Sequence, residues 1–211
     1  MPTAWAGQES DGRLLAPAAE RNKGPILEVL RRVLPEHGEV VEIASGTGQH
    51  VGHFGGALRG LQWQPTDPDE EMHGSILRWI EHERLTNVRP PIALDVGVNP
   101  WPIDHADGIV CINMIHVAPW QAALDLMQGA GCALRPGGAL VLYGPYRRFG
   151  RHTAPSNAAF DAQLRRINPH WGVRDMEAVI DVAQQHELGG EEIVPMPANN
   201  HALVLRKGQG R

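Results

Sequence analysis

The chain has 211 residues, enough for one domain with a sizeable core, and carries a formal charge of −5 with 42% apolar residues. That acidic balance excludes the broad basic face of a nucleic-acid binder, and no apolar run approaches the roughly 20 residues of a membrane helix. Two cysteines, Cys111 and Cys132, give no disulfide framework and read as small core residues, and the N-terminus lacks the basic start and apolar stretch of a secretion signal. A reducing, cytoplasmic setting is therefore expected.

Residues 1–20, rich in Ala, Pro and Gly, read as an irregular arm, and 207–211 as a polar tail around a domain spanning 21–206. A helix opens at Asn22, a capping residue, with Pro25 in its first turn and Ile26, Leu27, Leu30, Val33 and Leu34 as its apolar stripe. The run Glu39–Ala44 predicts a first strand, and a helix from near Gly48 to Leu58 follows it. Leu61–Thr66 is a second strand, and a helix extends from about Asp69 to Arg84. Val88–Asp95 is a third strand, for which Pro90 and Pro91 imply an edge position or an irregular start. Gly108–Asn113 is a near-continuous apolar run of the kind a central parallel strand shows. A helix from about Pro119 to Leu134, the turn Arg135–Gly138 and a fifth strand, Ala139–Tyr143, come next. Residues 144–155 read as a long loop. Two helical stretches, Ser156–Ile167 and Arg174–His186, precede the strands Glu191–Met196 and His201–Arg206, whose short connection makes them an antiparallel hairpin.

This alternation calls for an α/β fold of Rossmann-like type: a seven-stranded, mostly parallel sheet with an antiparallel last strand and helices on both faces. Ligands in such sheets bind at the carboxyl ends of the strands, near the reversal of strand order. The most informative strand end is Val40–His50, where a β-branched run meets the turn Gly46-Thr47-Gly48. Glu42 inside that run needs a partner, because a buried carboxylate is costly unless hydrogen-bonded or paired. Val51 stands where a dinucleotide fingerprint has its third glycine, which counts against NAD(P). Asp67, 19 residues after Gly48, is placed to accept from ribose hydroxyls of either NAD or S-adenosylmethionine (SAM), or to cap the next helix.

Glu42-Ile-Ala-Ser-Gly46-Thr-Gly48 resembles motif I of class I SAM-dependent methyltransferases, Asp107-Gly-Ile-Val resembles the start of their fourth strand, and Leu134-Arg-Pro-Gly-Gly138 their turn before the fifth. A narrower set of stretches resembles the methyltransferase-like 26 group, formerly a domain of unknown function. It comprises Arg21-Asn-Lys23, Ala44 to His50, Cys111 to Trp120, Gly150 to Asn157 and Met196 to Asn200. Gly24 departs from the acidic residue expected there. The resemblance implies the fold and SAM as cofactor, but no substrate.

On that basis Glu42, Ala44, Ser45, Gly46 and Gly48 form the cofactor loop, with Glu42 bracing it or facing the cofactor's amino end. Asp67 and Pro68 take the ribose, and Asp95 with Val96 meets the adenine. Asn113, Met114 and His116 line the methionine half, and Arg21 or Asn22 holds the carboxylate. Methyl transfer is an in-line displacement in which positioning supplies most of the effect, and a base is needed only for a protonated acceptor. His116, Tyr143, Tyr146 and His152 are the candidates; His116 follows the fourth strand and can equally bond the cofactor loop. Arg147, Arg148, Arg151 and His152 cluster in the long loop, where they could capture an acidic small-molecule acceptor. Trp101 and Trp120 could wall its pocket. His50 and His53 have no partner at metal-ligand spacing, so no metal is expected, and no G-x-S-x-G elbow supports hydrolase chemistry. A NAD(P)-dependent oxidoreductase and a SAM-fold binding module without catalysis are the competing readings, and the oligomeric state is open.

Overall fold

The architecture comes from a computed structural model that describes residues 7–209. Two short strands, β1 (Gly7–Gln8) and β2 (Leu14–Leu15), pair antiparallel as a ribbon ahead of helix α1 (Pro17–Val33). The helix thus starts five residues before Asn22, because Pro17 occupies its first turn with φ already preset. The expected irregular arm is therefore largely ordered from Gly7 on; its residues 1–6, and residues 210–211 of the expected tail, lie outside the described ones. Pro25 sits inside α1 and has no N–H for the Arg21 carbonyl, so one helix bond is missing there.

The main sheet follows from β-branched, alternating segments. β3 (Gly38–Ile43) leads through α2 (Gln49–Ala57) to β4 (Leu61–Pro65) and α3 (Glu70–His82), whose N-cap Asp69 accepts from the Glu71 amide at 3.0 Å. β5 (Ala106–Ile112), α4 (Trp120–Ala133) and the long β6 (Leu134–Arg148) come next. β7 (Arg151–His152), α5 (Pro155–Ile167), β8 (Arg174–Asp175) and α6 (Met176–Gln184) precede the terminal hairpin of β9 (Leu188–Met196) and β10 (Asn200–Lys207). The strand order is β4-β3-β5-β6-β10-β9, with β7 and β8 pairing the far end of β6. β4, β3, β5 and β6 are mutually parallel, and β10 is antiparallel to both of its neighbours. Side chains alternate between faces. Val40, Val110, Val141 and Val204 pack with α1, α2 and α3, while Val41, Ile109, Leu140 and Leu203 pack with α4 and α6.

Four further expectations change. The Val88–Asp95 strand is reduced to two bridges, Val88 to Trp63 and Ile92 to Thr66, because Pro90 and Pro91 cannot donate to a ladder between them. The Arg135–Gly138 turn is a bulge inside β6: pairing passes from Ala106–Leu134 to Gly108–Ala139, with Gly137 at φ +81°. The loop expected over 144–155 is a hairpin, since β6 runs on to Arg148 and turns at Phe149-Gly150 into β7. Cys132 is exposed, whereas Cys111 is buried in β5.

The chain runs from β3 outward to β4 and returns to β5 on the other side of β3, so the carboxyl ends of β3 and β5 diverge and open a crevice. Both turn glycines there have positive φ, but they face different neighbours. A Cβ on Gly48 (φ +80°) would lie 2.7 Å from the Ile76 Cα of α3, while one on Gly46 (φ +56°) would meet nothing within 4 Å. Gly48→Ala is therefore expected to cost about 3 kcal/mol, from overpacking and left-handed strain together, and Gly46→Ala about 1 kcal/mol from strain alone. Thermal unfolding of the two variants checks the difference; equal losses would contradict it.

Candidate functional site

The crevice opens into a cavity of about 1280 Å³. Its floor is the turn after β3. Ala44 (φ 54°) and Asn113 (φ 61°), at the ends of the adjacent strands β3 and β5, are both left-handed and both line it. Asparagine tolerates this conformation, but alanine pays about 1–2 kcal/mol for it, so the surrounding bonds must hold the turn. They do: the Ser45 amide donates to Thr66 O (2.8 Å), the Thr66 amide and hydroxyl donate to Glu42 O, and the Gly46 amide donates to Asp67 Oδ2 (2.8 Å).

Glu42 is 2% exposed and lines the cavity, and the partner its sequence position demands is the Trp63 indole, which donates to Oε2 at 2.8 Å. Burial raises its pKa to about 8, with the nearby Asp67 charge adding to the rise and the Trp63 and Ser45 bonds opposing it. The carboxyl is therefore largely protonated at neutral pH.

A second wall is α1 against α2. His50 Nε2 lies 2.7 Å from Asn22 Oδ1, which makes Nε2 the protonated nitrogen, and burial holds the ring well below its ordinary pKa. Arg21, exposed, and Tyr143, from β6, line the same region; burial raises the Tyr143 pKa while the Asn22 amide, the Arg21 charge and Asn200 oppose the rise. A third wall is the N-terminal ribbon. The Leu14 amide donates to Ser75 Oγ (2.8 Å), Ser75 Oγ to Thr47 O (2.6 Å), the Ala16 amide to Gln49 Oε1 (2.9 Å), and the Trp79 indole to Leu14 O (3.2 Å). Leu14, Ala16 and Pro17 are thereby laid over the glycine turn. The fourth wall is α5 with the loop after it and the β9–β10 turn. It contributes Asn157, Phe160, Gln163, Ile167, Trp171 and Ala198, among others.

Of the expected cofactor residues, Arg21, Asn22, Glu42, Ala44, Ser45, Gly46 and Asn113 come together around this cavity. The others do not line it. Gly48 packs against α3. Asp67 is 2% exposed and accepts from the Gly46 and Asp69 amides, so it fastens the turn and the start of α3. Burial raises the Asp67 pKa, and those two amides oppose the rise. Pro68 is exposed outside the cavity, and Asp95 is exposed and accepts from the Gly97 amide. Val96 and Met114 belong to the core.

The expected catalytic groups also sit elsewhere. His116 is fully buried behind the floor. Its Nδ1 lies 3.3 Å from the Arg174 amide, its Nε2 has no partner, and burial with the Arg174 charge lowers its pKa to about 3. A ring so weakly basic and absent from the cavity wall is not placed to take a proton from a bound molecule. Tyr146 is fully buried on the α4–α6 face with its ring 5.1 Å from that of His116, and burial pushes its pKa up. His152 lies 3.5 Å from Asp161 Oδ2. Tyr143 alone of the four candidates lines the cavity. The arginine cluster is not at the rim either. Arg148 donates to Glu177 at 2.6 Å, the hairpin tip amides of Phe149 and Gly150 donate to Glu177 and Asp175, and neither Arg147 nor Arg151 lines the cavity. Trp101 is buried, donating to Val96 O, and Trp120 carries the Arg174 guanidinium 5.7 Å above its ring; Trp171 takes the wall position instead. A readable signal for the fourth wall existed in the spacing of Phe160, Gln163 and Ile167, which share one face of α5 beside the buried Leu164.

This architecture is the class I methyltransferase fold, a central mixed sheet flanked by helices. An O-methyltransferase family protein from Burkholderia thailandensis matches with a TM-score of 0.76 at 18% identity, over 92% of this chain and 58% of its own. Human N-acetylserotonin methyltransferase, solved in complex with SAM, gives 0.74 at 15% identity over 91% and 53%. YcgJ from Bacillus subtilis gives 0.69 at 14% identity over 90% and 100%. The chain belongs to DUF938, a family described as protein of unknown function, whose model matches residues 13–207. It spans little more than half the length of the first two of these structures.

A carboxyl whose pKa is raised from 4.5 to about 8 contributes stability that is full below its unfolded pKa and is lost as pH rises through the folded one. Glu42→Gln keeps an acceptor for Trp63 without the charge. It is expected to match the wild type in thermal unfolding at pH 4.5 and to exceed it by a few degrees at pH 8.5, at about 2–4 °C per kcal/mol. A gap that shrinks with rising pH would contradict the buried-carboxyl assignment.

Proposed function

We propose that the protein is a SAM-dependent methyltransferase acting on a small-molecule acceptor, of the kind the methyltransferase-like 26 resemblance implies, in a cytoplasmic setting. One observation carries this reading: at the reversal of strand order, Gly46 presents open space where a side chain would stand, beside Glu42, in a cavity of about 1280 Å³. A drug-sized ligand takes a pocket of about 300–1,000 Å³, so the cavity has room for a cofactor and a second molecule. A single close backbone approach suits a cofactor without a pyrophosphate. A dinucleotide is disfavoured by Val51, which is fully buried in the α2–sheet core where a third glycine would leave a void.

The residues present suit SAM by charge. Arg21 would hold its carboxylate, Ser45, Gly46 and Asn113 would meet its polar atoms, and Glu42 would answer a cationic centre, giving up its proton to do so. Bound SAM supplies an electrophilic methyl group, and this chain's part is to bind and orient the two molecules and exclude water. Tyr143 is the phenol on the wall, and its oxygen would accept a hydrogen bond from the acceptor rather than its proton. No helix among the described residues is long and apolar enough to cross a membrane.

Calorimetry with SAM, S-adenosylhomocysteine and NADH tests the reading. The first two should bind and NADH should not; NADH binding more tightly than both would overturn it. Arg21→Ala should weaken SAM about tenfold, the loss of one charge-assisted contact of about 1.5 kcal/mol. An unchanged affinity would remove Arg21 from the site.

A further inference from the structure

The α5 side of the cavity differs chemically from the glycine-turn side. Arg21 and Glu42 are the basic side chain and the carboxylic acid among the lining residues, and they belong to α1 and β3. The wall built by α5, Trp171 and the β9–β10 turn contributes no charge. It offers apolar and aromatic surface from Phe160, Ile167 and Trp171, and amides from Asn157, Gln163 and Asn200. The arginines that could have met an acidic group are engaged or absent from the wall, Arg148 by Glu177.

Asn157 has its amide fixed in direction. Its Nδ2 donates to Thr153 Oγ1 at 3.0 Å and to Asn199 O at 2.9 Å, which uses both hydrogens, and the residue is 4% exposed. Turning the amide over would set Oδ1 against the Asn199 carbonyl, so the hydrogen-bond network decides the orientation. No described donor bonds Oδ1. The turn that supplies the Asn199 carbonyl is itself held in an unfavourable shape, with Ala198 and Asn199 both at positive φ. Strain of this kind persists only where the surroundings over-determine it, and it clusters at binding sites.

We propose that this half of the cavity binds an uncharged molecule with a flat apolar body and an O–H or N–H donor that Asn157 Oδ1 accepts. It is the methyl acceptor if the methyltransferase reading holds, and only that identification rests on that reading. The two aromatic side chains give area to a flat body. A charged body would leave water for a wall that offers no counter-charge. The fixed acceptor discriminates by hydrogen bonding, since a ligand without the donor leaves a buried carbonyl oxygen unpaired.

The test is calorimetry on the full chain, with and without S-adenosylhomocysteine, using 2-naphthol, 2-methoxynaphthalene and 2-naphthoate as probes. 2-Naphthol should bind at least tenfold more tightly than either of the others. Asn157→Leu should abolish the difference between 2-naphthol and 2-methoxynaphthalene. Ile167→Lys, at a position 47% exposed on the rim of the wall, should raise 2-naphthoate affinity at least fivefold even if the Asn157 variant fails to fold. No binding of 2-naphthol, 2-naphthoate binding as tightly as 2-naphthol, or no gain of 2-naphthoate affinity in Ile167→Lys would each overturn the proposal. A naphthol preference that survives Asn157→Leu would do so too. S-adenosylhomocysteine failing to bind while the probe series holds would sink the methyltransferase reading and leave this one standing.

Discussion

The site depends on the 2.8 Å bond from the Gly46 amide to Asp67 Oδ2. That bond ties the turn after β3 to the end of β4 and fixes which way the turn faces. Ala44 is left-handed, Gly46 is open to the cavity and Gly48 is closed against α3, and these three conformations stand or fall together. The second Asp67 oxygen accepts from the Asp69 amide, so the same carboxylate also sets the start of α3, the helix that supports Gly48 from behind. An acidic residue at this position reads from sequence as a ligand for ribose. In the structure each of its oxygens accepts from a backbone amide and the residue stands behind the cavity lining, so what it visibly does is hold the turn.

Glu42 stands in the opposite situation. Its backbone carbonyl is satisfied three times over by the Thr66 amide, the Thr66 hydroxyl and Ser45 Oγ, while its carboxyl has the Trp63 indole and the cavity. Burial keeps this carboxyl protonated at a pH where its exposed counterparts are ionised, against the opposing Trp63 and Ser45 bonds. It behaves as a latent charge: uncharged in the closed site, available to a cation that enters. The cost of burying it is offset as long as the proton remains, which is how a strand that packs on both faces can carry a glutamate near its carboxyl end.

Sequence periodicity carried the sheet well. The parallel strands β3 and β5 were legible as short apolar runs buried on both faces, and the helices between them by their apolar stripes. The errors fell where local chemistry was outvoted by tertiary pairing. Pro136-Gly137-Gly138 reads as a turn, yet β5 and β10 draw the flanking residues into one long strand and leave the glycines as its bulge. The Arg-rich stretch reads as a loop, yet Glu177 and Asp175 of the α6 region pull it into a hairpin. The site divided in the same way. The half formed by residues 21–67 was legible because a glycine turn and a buried carboxylate are chemical signals in the local sequence. His116 was misplaced because strand-end position says nothing about which face a side chain takes, and its ring turned inward to lie beside Tyr146.

The two halves of the cavity also differ in how they are built. The glycine-turn half comes from the sheet itself, and its geometry follows from the strand order. The other half is assembled from pieces added to the sheet: the ribbon pinned by Ser75 and Trp79, α5, and the β9–β10 turn tied to α5 by Asn157. A fold constrains the first half and leaves the second free to vary, so a shared fold at 18% identity or less says little about what the second half accepts. Whatever selectivity this chain has toward a second ligand therefore resides in that added wall. Its uncharged surface and the Asn157 amide, held in one orientation, are the features on which such selectivity can act.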